Sequence, residues 1–551
     1  MSVVWTLLKR ALRRFSSDRR GNVAIIFGFA FLPLIAAIGA AVDYSRAAST
    51  RTALQVAADT TALMLSKTAS TMTAAQLQLK ATDIFNALYI RADTTNNSVT
   101  PTFTLVGGSQ VRVEAKSTLS TYFIKVVGPS SINLTASSVA KWGTARLRVA
   151  LVLDTTGSMA NDGKMDALKT ATKNLLTQLQ AAASTNGDVL VSIVPFSKNV
   201  NVGASNYNAT WLDWTDWEDE PASIKTTKPS NWESVGPGSS CPFTSANDGF
   251  RCAPSPVSTS EVSTIPSSGT YAGYICPGTD TGGDDTTNIG ILYNGCYTSV
   301  NSTRTIATGS TASCGTKTNC SCSGSGSSKV CTQSYIAHPW VPNARSTWTG
   351  CVTDRGAAAG PVSDYDRKVT APSTSIVATL FPAEQSIYCS PQVTALNYNW
   401  ATMKTSVDAL YPLGATNQPI GLVWGWQSLV GGGPFPTPPA KDSNYTYSEV
   451  IVLMSDGLNT LNRWNGNGSS VNTNVDKRMY ESTTLGTCVN AKAAGITIYA
   501  VHVNTGGDPK STLLENCASG TDKFWMVTTS SGLDNVFKAI GTNLSQLRIA
   551  Q

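Results

Sequence analysis

Charge is what this chain has least of. Only 14% of its 551 residues are Asp, Glu, Lys or Arg, where globular proteins carry about 25%. Histidine is scarcer still, with His338 and His502 the two in the sequence. That leaves metal-assisted hydrolysis little to work with, because it needs a base beside the cation. No Gly-x-Ser-x-Gly stretch presents a nucleophilic serine, since Ser158 lies in Thr-Gly-Ser-Met. Zinc is weakly supported as well, because no Cys-x-x-Cys pair occurs. The net charge of +6 owes much to Lys9, Arg10, Arg13, Arg14, Arg19 and Arg20, all before residue 21. Nothing later gathers a basic face, so nucleic acid is not an expected partner.

What is present first is an apolar run. Val23 to Val42 holds twenty residues without a charge, enough for a helix to cross a hydrocarbon core of about 30 Å and longer than a signal-peptide core. The basic residues before it place 1–20 in the cytoplasm and everything after Asp43 on the far side. Pro33 inside the span bends such a helix without forbidding it. The abundance of Thr, Ser, Gly and Asn fits an exported protein. So do twelve cysteines, ten between Cys241 and Cys389 plus Cys488 and Cys517; an even number in an oxidising compartment reads as disulfides. Length implies three or four domains.

Beyond the span, Ala47, Leu54, Ala58, Ala62 and Leu65 recur at helical spacing, so the helix extends out of the membrane to about Lys67. GNVAIIFGFAF from Gly21, VDYSRA at Val42 to Ala47 and LQVAADTTAL at Leu54 to Leu63 together resemble the N-terminal region of TadG-like Flp pilus-assembly proteins. Prepilin-type proteins carry a glutamate five residues after the cleavage-site glycine. Ile26 stands there after Gly21, and the span reads as an uncleaved single-pass anchor in the inner (cell) membrane, with the bulk of the chain in the periplasm or outside the cell. Ser98 to Leu105, Gln110 to Ala115 and Ile132 to Trp142 then alternate as three strands of a small antiparallel sheet. Region 68–146 is a pilin-like unit or a spacer.

From Leu147 the pattern alternates strand and helix. Val149 to Leu153 and Val189 to Phe196 read as buried strands, separated by a helix from Lys164 to Ala183 with apolar Met165, Leu168, Leu175, Leu176 and Leu179. It resumes at Asn397 and includes strands Val450 to Met454 and Ile496 to Val503 and a last helix from Gly532 to Leu547. This predicts an α/β fold, a doubly wound and mostly parallel sheet built from 147–200 and 394–551. The interruption at 201–393, rich in Ser, Thr, Gly, Pro and Cys and lacking sustained periodicity, reads as an irregular insertion stapled by disulfides. Its Trp211, Trp214 and Trp217 supply the small core such an insertion needs, and, leaving between the second strand and the helix before Thr416, it can overhang the face formed by the carboxyl ends of the strands. Asp284-Asp285 lacks EF-hand spacing and reads as a solvated loop. Cys488 and Cys517 flank the strand at 496–503 on the helices before and after it, and are expected to pair with each other.

The first strand ends in Asp154, Thr156 and Ser158, three oxygen-bearing side chains at alternate positions. Such a loop can wrap a hard cation, leaving part of its coordination sphere open. The bland alternative is an ordinary strand-to-helix turn with a capping residue. Thr416 supplies a further hydroxyl in a turn before a helical run, and Asp456 ends the strand EVIVLMSDG. Asp154, Thr156, Ser158, Thr416 and Asp456 together resemble the metal-ion-dependent adhesion site of the von Willebrand factor A domain, with Thr156 in place of the middle serine of Asp-x-Ser-x-Ser. The resemblance implies Mg²⁺, with Mn²⁺ or Ca²⁺ as alternatives, and a protein partner whose Asp or Glu completes the metal's shell. The two resemblances together imply a non-enzymatic role in Flp pilus assembly. A surface adhesin binding a host or matrix ligand would use the same residues, and a metal-dependent hydrolase is the remaining class.

Overall fold

A computed structural model describes residues 22–549 apart from 67, 70, 71, 105–108, 127, 143, 144, 361, 362 and 444. The basic tail expected at 1–20 lies outside the described residues. Contacts divide the chain into two compact units, the first essentially residues up to 145 and the second residues 146–548.

The first unit is built on α1, Asn22–Ser66, a single helix of 45 residues running through Pro33. Its two halves meet different surroundings. Ile25, Phe27, Phe29, Leu34, Ile35 and Ile38 are all exposed, and this stretch is long and apolar enough to cross a membrane. Farther along, Ala47, Leu54, Ala58, Ala62 and Leu65 are buried against a three-stranded antiparallel sheet. Its strands are β1 (Thr94–Thr104), β2 (Ser109–Ser120) and β3 (Ser131–Trp142), in that order. Val111, Val113, Ala115 and Leu119 alternate inward along β2, the period of two that a half-buried strand requires. One element is new relative to the sequence reading. Helix α2, Ala74–Leu88, is opened by a Thr73/Gln76 capping box and buries Leu77, Ala81 and Phe85 in the same core.

The second unit contains a six-stranded sheet. Its strands are β4 (Ala145–Asp154), β5 (Val189–Phe196), β6 (Thr394–Asn397), β7 (Thr446–Ser455), β8 (Thr497–Val503) and β9 (Phe524–Val527), ordered β6-β5-β4-β7-β8-β9. β4 pairs parallel with β5, β7 with β8 and β8 with β9, while edge strand β6 is antiparallel. One face buries Leu168, Leu175 and Leu179 of α3 (Lys164–Ala182), Met403 of α4 (Trp400–Asp408) and, at the chain's end, Phe537 and Leu544 of the helix Gly532–Ile549. The other carries α5, Gln418–Val430, whose residues are buried from Gln418 through Leu429. A helix apolar all round must be covered on every side. The sheet covers α5 from below, where Gly421 and Gly425 let it sit against Phe196 and Val152. Aromatic residues from the segment between β5 and β6 cover it from above, with the Phe381 and Trp424 ring centroids 4.9 Å apart.

That segment is less irregular than its composition suggests. Val300–Thr308 and Val330–Ala337 pair antiparallel, with Cys320–Ser323 added at the edge. Both faces of the Val300–Thr308 strand are largely exposed, so no apolar alternation marks it in the sequence. Trp214 and Trp217 are buried, in a cluster continuous with the core beneath them, so they serve the sheet as well as the insertion. Every cysteine is in a disulfide: 241–252, 276–296, 314–320, 322–331, 351–389 and 488–517. After α6 (Thr473–Met479), the last of these links α7 (Thr487–Ala493) to α8 (Thr512–Cys517) across β8, as expected from their flanking positions.

Candidate metal centre

β4 and β7 lie side by side where the strand order reverses, with β5 and β6 on one side and β8 and β9 on the other. Helices leaving such a pair of strands diverge to opposite faces and open a crevice beyond the carboxyl ends, the place where open α/β sheets bind ligands. Asp154 is the last residue of β4, and Asp456 follows the last residue of β7. The strands therefore deliver the two carboxylates to one place.

Four of the five candidate oxygen donors form a continuous chain. Asp154 Oδ1 accepts from the Thr156 hydroxyl at 2.6 Å and from its backbone N–H at 2.8 Å. Thr156 Oγ1 lies 3.2 Å from Ser158 Oγ, which donates to Asp456 Oδ1 at 2.7 Å. Thr416 stands on the adjoining loop. That loop is tied to the β4 loop by Gly157 N–H on the Gly414 carbonyl at 2.9 Å and Leu413 N–H on the Thr155 carbonyl at 2.7 Å. Thr416 is itself fixed through its backbone, which exchanges hydrogen bonds with Thr460. Its hydroxyl makes no hydrogen bond among the described residues, and it does not join the chain of four.

Burial pushes the Asp154 carboxyl up to about 7, and the facing Asp456 carboxylate adds to the rise. Hydrogen bonds from Ser455 and Thr156 oppose it. Lys164 Nζ sits 2.5 Å from Asp456 Oδ2, both side chains buried. With Asp154 ionised, two carboxylates against one ammonium leave negative charge over, and Asp456 Oδ1 is not taken up by the lysine. Ligand oxygens on adjacent corners of a Mg²⁺ octahedron stand about 2.9 Å apart, given metal–oxygen distances near 2.05 Å. The spacings of 2.6, 3.2 and 2.7 Å bracket that value. These are also ordinary hydrogen-bond lengths, and it is the all-oxygen chemistry of the set that suits a hard divalent cation.

Three contributors were missed in the sequence. Lys164 opens α3 on its buried stripe, four residues before Leu168. Ser455 donates to Asp154 Oδ2 at 2.5 Å and accepts from Gln418 Nε2 at 3.0 Å. Gln418 also donates to the Gly457 carbonyl at 2.8 Å, bracing the loop that holds Asp456. The insertion reaches the same edge of the sheet. Its buried Asp354 accepts from Asn417 Nδ2 at 2.9 Å, next in sequence to Thr416. The histidines are held by other bonds, although His502 stands opposite Ser455 on β8. His502 Nδ1 accepts from Ser511 N–H, and the His338 ring nitrogens lie 3.0 Å from the Thr298 carbonyl and 2.9 Å from that of Trp232. Burial lowers the basicity of both.

Among solved structures, the SpaC pilus adhesin of Lactobacillus rhamnosus GG is similar at 9% identity and TM-score 0.29, over 84% of this chain and 36% of that one. The chain thus spans about a third of SpaC. The vWF domain of the type V pili tip protein Mfa5 of Porphyromonas gingivalis is similar at 9% identity and TM-score 0.29, over 74% of this chain and 97% of that one. The PilB minor pilin of Streptococcus sanguinis is similar at 10% identity and TM-score 0.28, over 82% of this chain and 79% of that one. No curated protein matches the chain. The family model described as putative Flp pilus-assembly TadE/G-like matches residues 21–64, the span and nearly all of its helical extension. The chain therefore carries a TadE/G-like Flp pilus-assembly segment at its N-terminal end.

Proposed function

We propose that this is a membrane-anchored, exported protein of Flp pilus assembly whose second unit is a von Willebrand A-type domain. It holds a carboxylate of a protein partner through Mg²⁺, or through Mn²⁺ or Ca²⁺. The observation that carries the metal reading is the run of four oxygens at 2.6–3.2 Å spacing where the strand order reverses. The pilus reading rests on the TadE/G-like segment, and the anchor on the exposed apolar half of α1. In this reading 1–20 is cytoplasmic, α1 crosses the inner membrane once, and the rest lies in the periplasm or beyond.

Each residue has a part. Asp154, Thr156 and Ser158 offer oxygens from one loop, Asp456 from the neighbouring strand and Thr416 from the adjoining loop. Ser455 and Gln418 hold the carboxylates in place, and Lys164 offsets part of their charge. A bound cation would supply an electropositive point at which a partner's Asp or Glu docks. The role is binding, without catalysis.

The test compares the full-length protein with Asp154→Ala in detergent. Saturating Mg²⁺ should raise the unfolding temperature of the native protein, as any ligand confined to the folded state must. In the variant that rise should vanish while the metal-free temperature changes little. An equal response in both would show the loop to be an ordinary turn. Co-purification from native membranes with Mg²⁺ or chelator then identifies the partner, and recovery of pilus-assembly components only with Mg²⁺ is the expected result.

A further inference from the structure

Residues 121–126 lead from β2 toward β3, and their backbone is clamped to α1. Asp43, a buried residue of that helix, accepts from the N–H groups of Tyr122, Phe123 and Ile124 at 3.0, 2.8 and 2.8 Å. Arg46 pairs with Asp43 at 3.3 Å and donates to the Ser120 carbonyl at 3.2 Å, and its guanidinium lies 3.8 Å over the Tyr122 ring. One turn before Asp43, Gly39 provides a notch: a Cβ there would fall 2.5 Å from Phe123 Cβ. Held this firmly, the loop still leaves its apolar side chains uncovered. Tyr122, Phe123 and Val126 are 55%, 46% and 79% exposed, and Lys125 is exposed beside them.

Height along α1 says what covers them. An uncharged run of twenty residues, 23–42, rises about 30 Å, the thickness of a hydrocarbon core. Gly39 lies three residues inside its far end, about 4.5 Å below the boundary at 1.5 Å per residue. Phe123, in contact with Gly39, shares that level. Aromatic side chains with a polar tip gather at this boundary, and peripheral apolar groups enter it by about 5–10 Å.

We propose that Tyr122, Phe123 and Val126 are seated in the lipid headgroup–acyl boundary on the far side of the membrane that α1 crosses. The first unit is thereby braced against the bilayer as well as tethered to it. This rests on reading α1 as a membrane span and is independent of the metal centre. Lys125 adds a cation at headgroup level for the phosphates of anionic lipid.

The test uses the full-length chain in vesicles of phosphatidylethanolamine and phosphatidylglycerol, spin-labelled at Val126→Cys. Leu34→Cys in the span and Arg112→Cys on the exposed face of β2 serve as references. Collision with oxygen, which concentrates in lipid, is compared with collision with a water-soluble nickel chelate. The oxygen-to-nickel ratio at residue 126 should be several-fold that at 112 and approach that at 34. A ratio at 126 equal to that at 112, with 34 lipid-like, overturns the proposal and leaves the span standing. A water-like ratio at 34 overturns the span and the proposal with it. Poor collision with both reagents at 126 means that protein covers the loop, a second copy of the chain included, and overturns the assignment to lipid. Gly39→Leu fills the notch, and should move the ratio at 126 toward that at 112; no change would overturn the seating of the loop against the span.

Discussion

Lys164→Met separates the charge balance of the proposed metal centre from its packing. Methionine keeps most of the apolar stem and removes the ammonium, so Asp456 loses its salt-bridge partner while Asp154 still faces it. The lysine and aspartate side chains are 8% and 0% exposed, which puts the pair among buried ion pairs. Removing one partner of such a pair costs about 3–5 kcal/mol, whereas an exposed pair is worth about 0–1 kcal/mol. Without divalent cation the variant should therefore lose about 3–5 kcal/mol. With saturating Mg²⁺ the cation restores a counter-charge at Asp456 Oδ1, and the loss should shrink by about 2–3 kcal/mol, which linkage converts to metal binding tighter by about 30- to 150-fold. Denaturant unfolding followed by tryptophan fluorescence measures both. Of thirteen tryptophans only Trp5 and Trp142 precede residue 146, so the signal reports on the second unit. A loss that Mg²⁺ leaves unchanged would refute the cation site. A loss below about 1 kcal/mol without metal would refute the burial of the pair.

Gly425→Ala places a Cβ 2.3 Å from Val152 Cγ2 and should cost about 1–3 kcal/mol by overpacking α5 on the sheet. Val152→Ala should relieve part of that in the double variant, and strictly additive losses would refute the clash. Burial raises the Asp280 carboxyl to about 6, Asp284 and Asp285 adding to the rise, against hydrogen bonds from Gly282 N–H and the Tyr293 hydroxyl. Because the folded state holds this proton more tightly than the unfolded chain, its contribution is fully present below about pH 4 and is lost as pH rises through about 6. The integrated change is about 3 kcal/mol. Denaturation of Asp280→Asn across that window should be flatter by that amount, and an unchanged pH profile would count against the buried acid. The double variant Cys488→Ser, Cys517→Ser opens a loop of 29 residues and should lose about 3–4 kcal/mol in denaturant unfolding. A neutral result would show that the link does not constrain the unfolded chain.

The elements legible in the sequence are those whose burial imposes a repeat. β4, β5 and the second half of β7 are buried on both faces and read as apolar runs rich in Val, Leu and Ile. The outer half of α1 shows helical spacing because one stripe, from Ala47 to Leu65, meets a sheet. Elements escape where burial writes a weak pattern. α2 offers the core a narrow stripe of Leu77, Ala81 and Phe85 among Thr, Gln and Asp. The strand Val300–Thr308 alternates nothing, because both of its faces are largely open to water. Pairings within the ten-cysteine segment depended on that hidden topology. Cys488 and Cys517 did not, since the helices around β8 already placed them.

The centre divides along the same line. Asp154, Thr156 and Ser158 lie within five residues of one another, and their spacing alone declares a loop of oxygens. Asp456 declares itself by ending a second buried strand. Ser455 and Gln418 act only because β7 and α5 pack beside β4, a tertiary fact with no local spacing to announce it. Lys164 is the instructive case. It falls on the stripe of Leu168, Leu175 and Leu179, where a free charge would be costly to bury. A lysine on the apolar face of a helix must find a carboxylate, and this helix follows one loop that ends a strand in Asp154. The lysine instead reaches Asp456, on the strand that neighbours β4 in the sheet. A lysine on the buried stripe signals that a carboxylate lies near, and the sheet order, which sets β7 beside β4, decides which one.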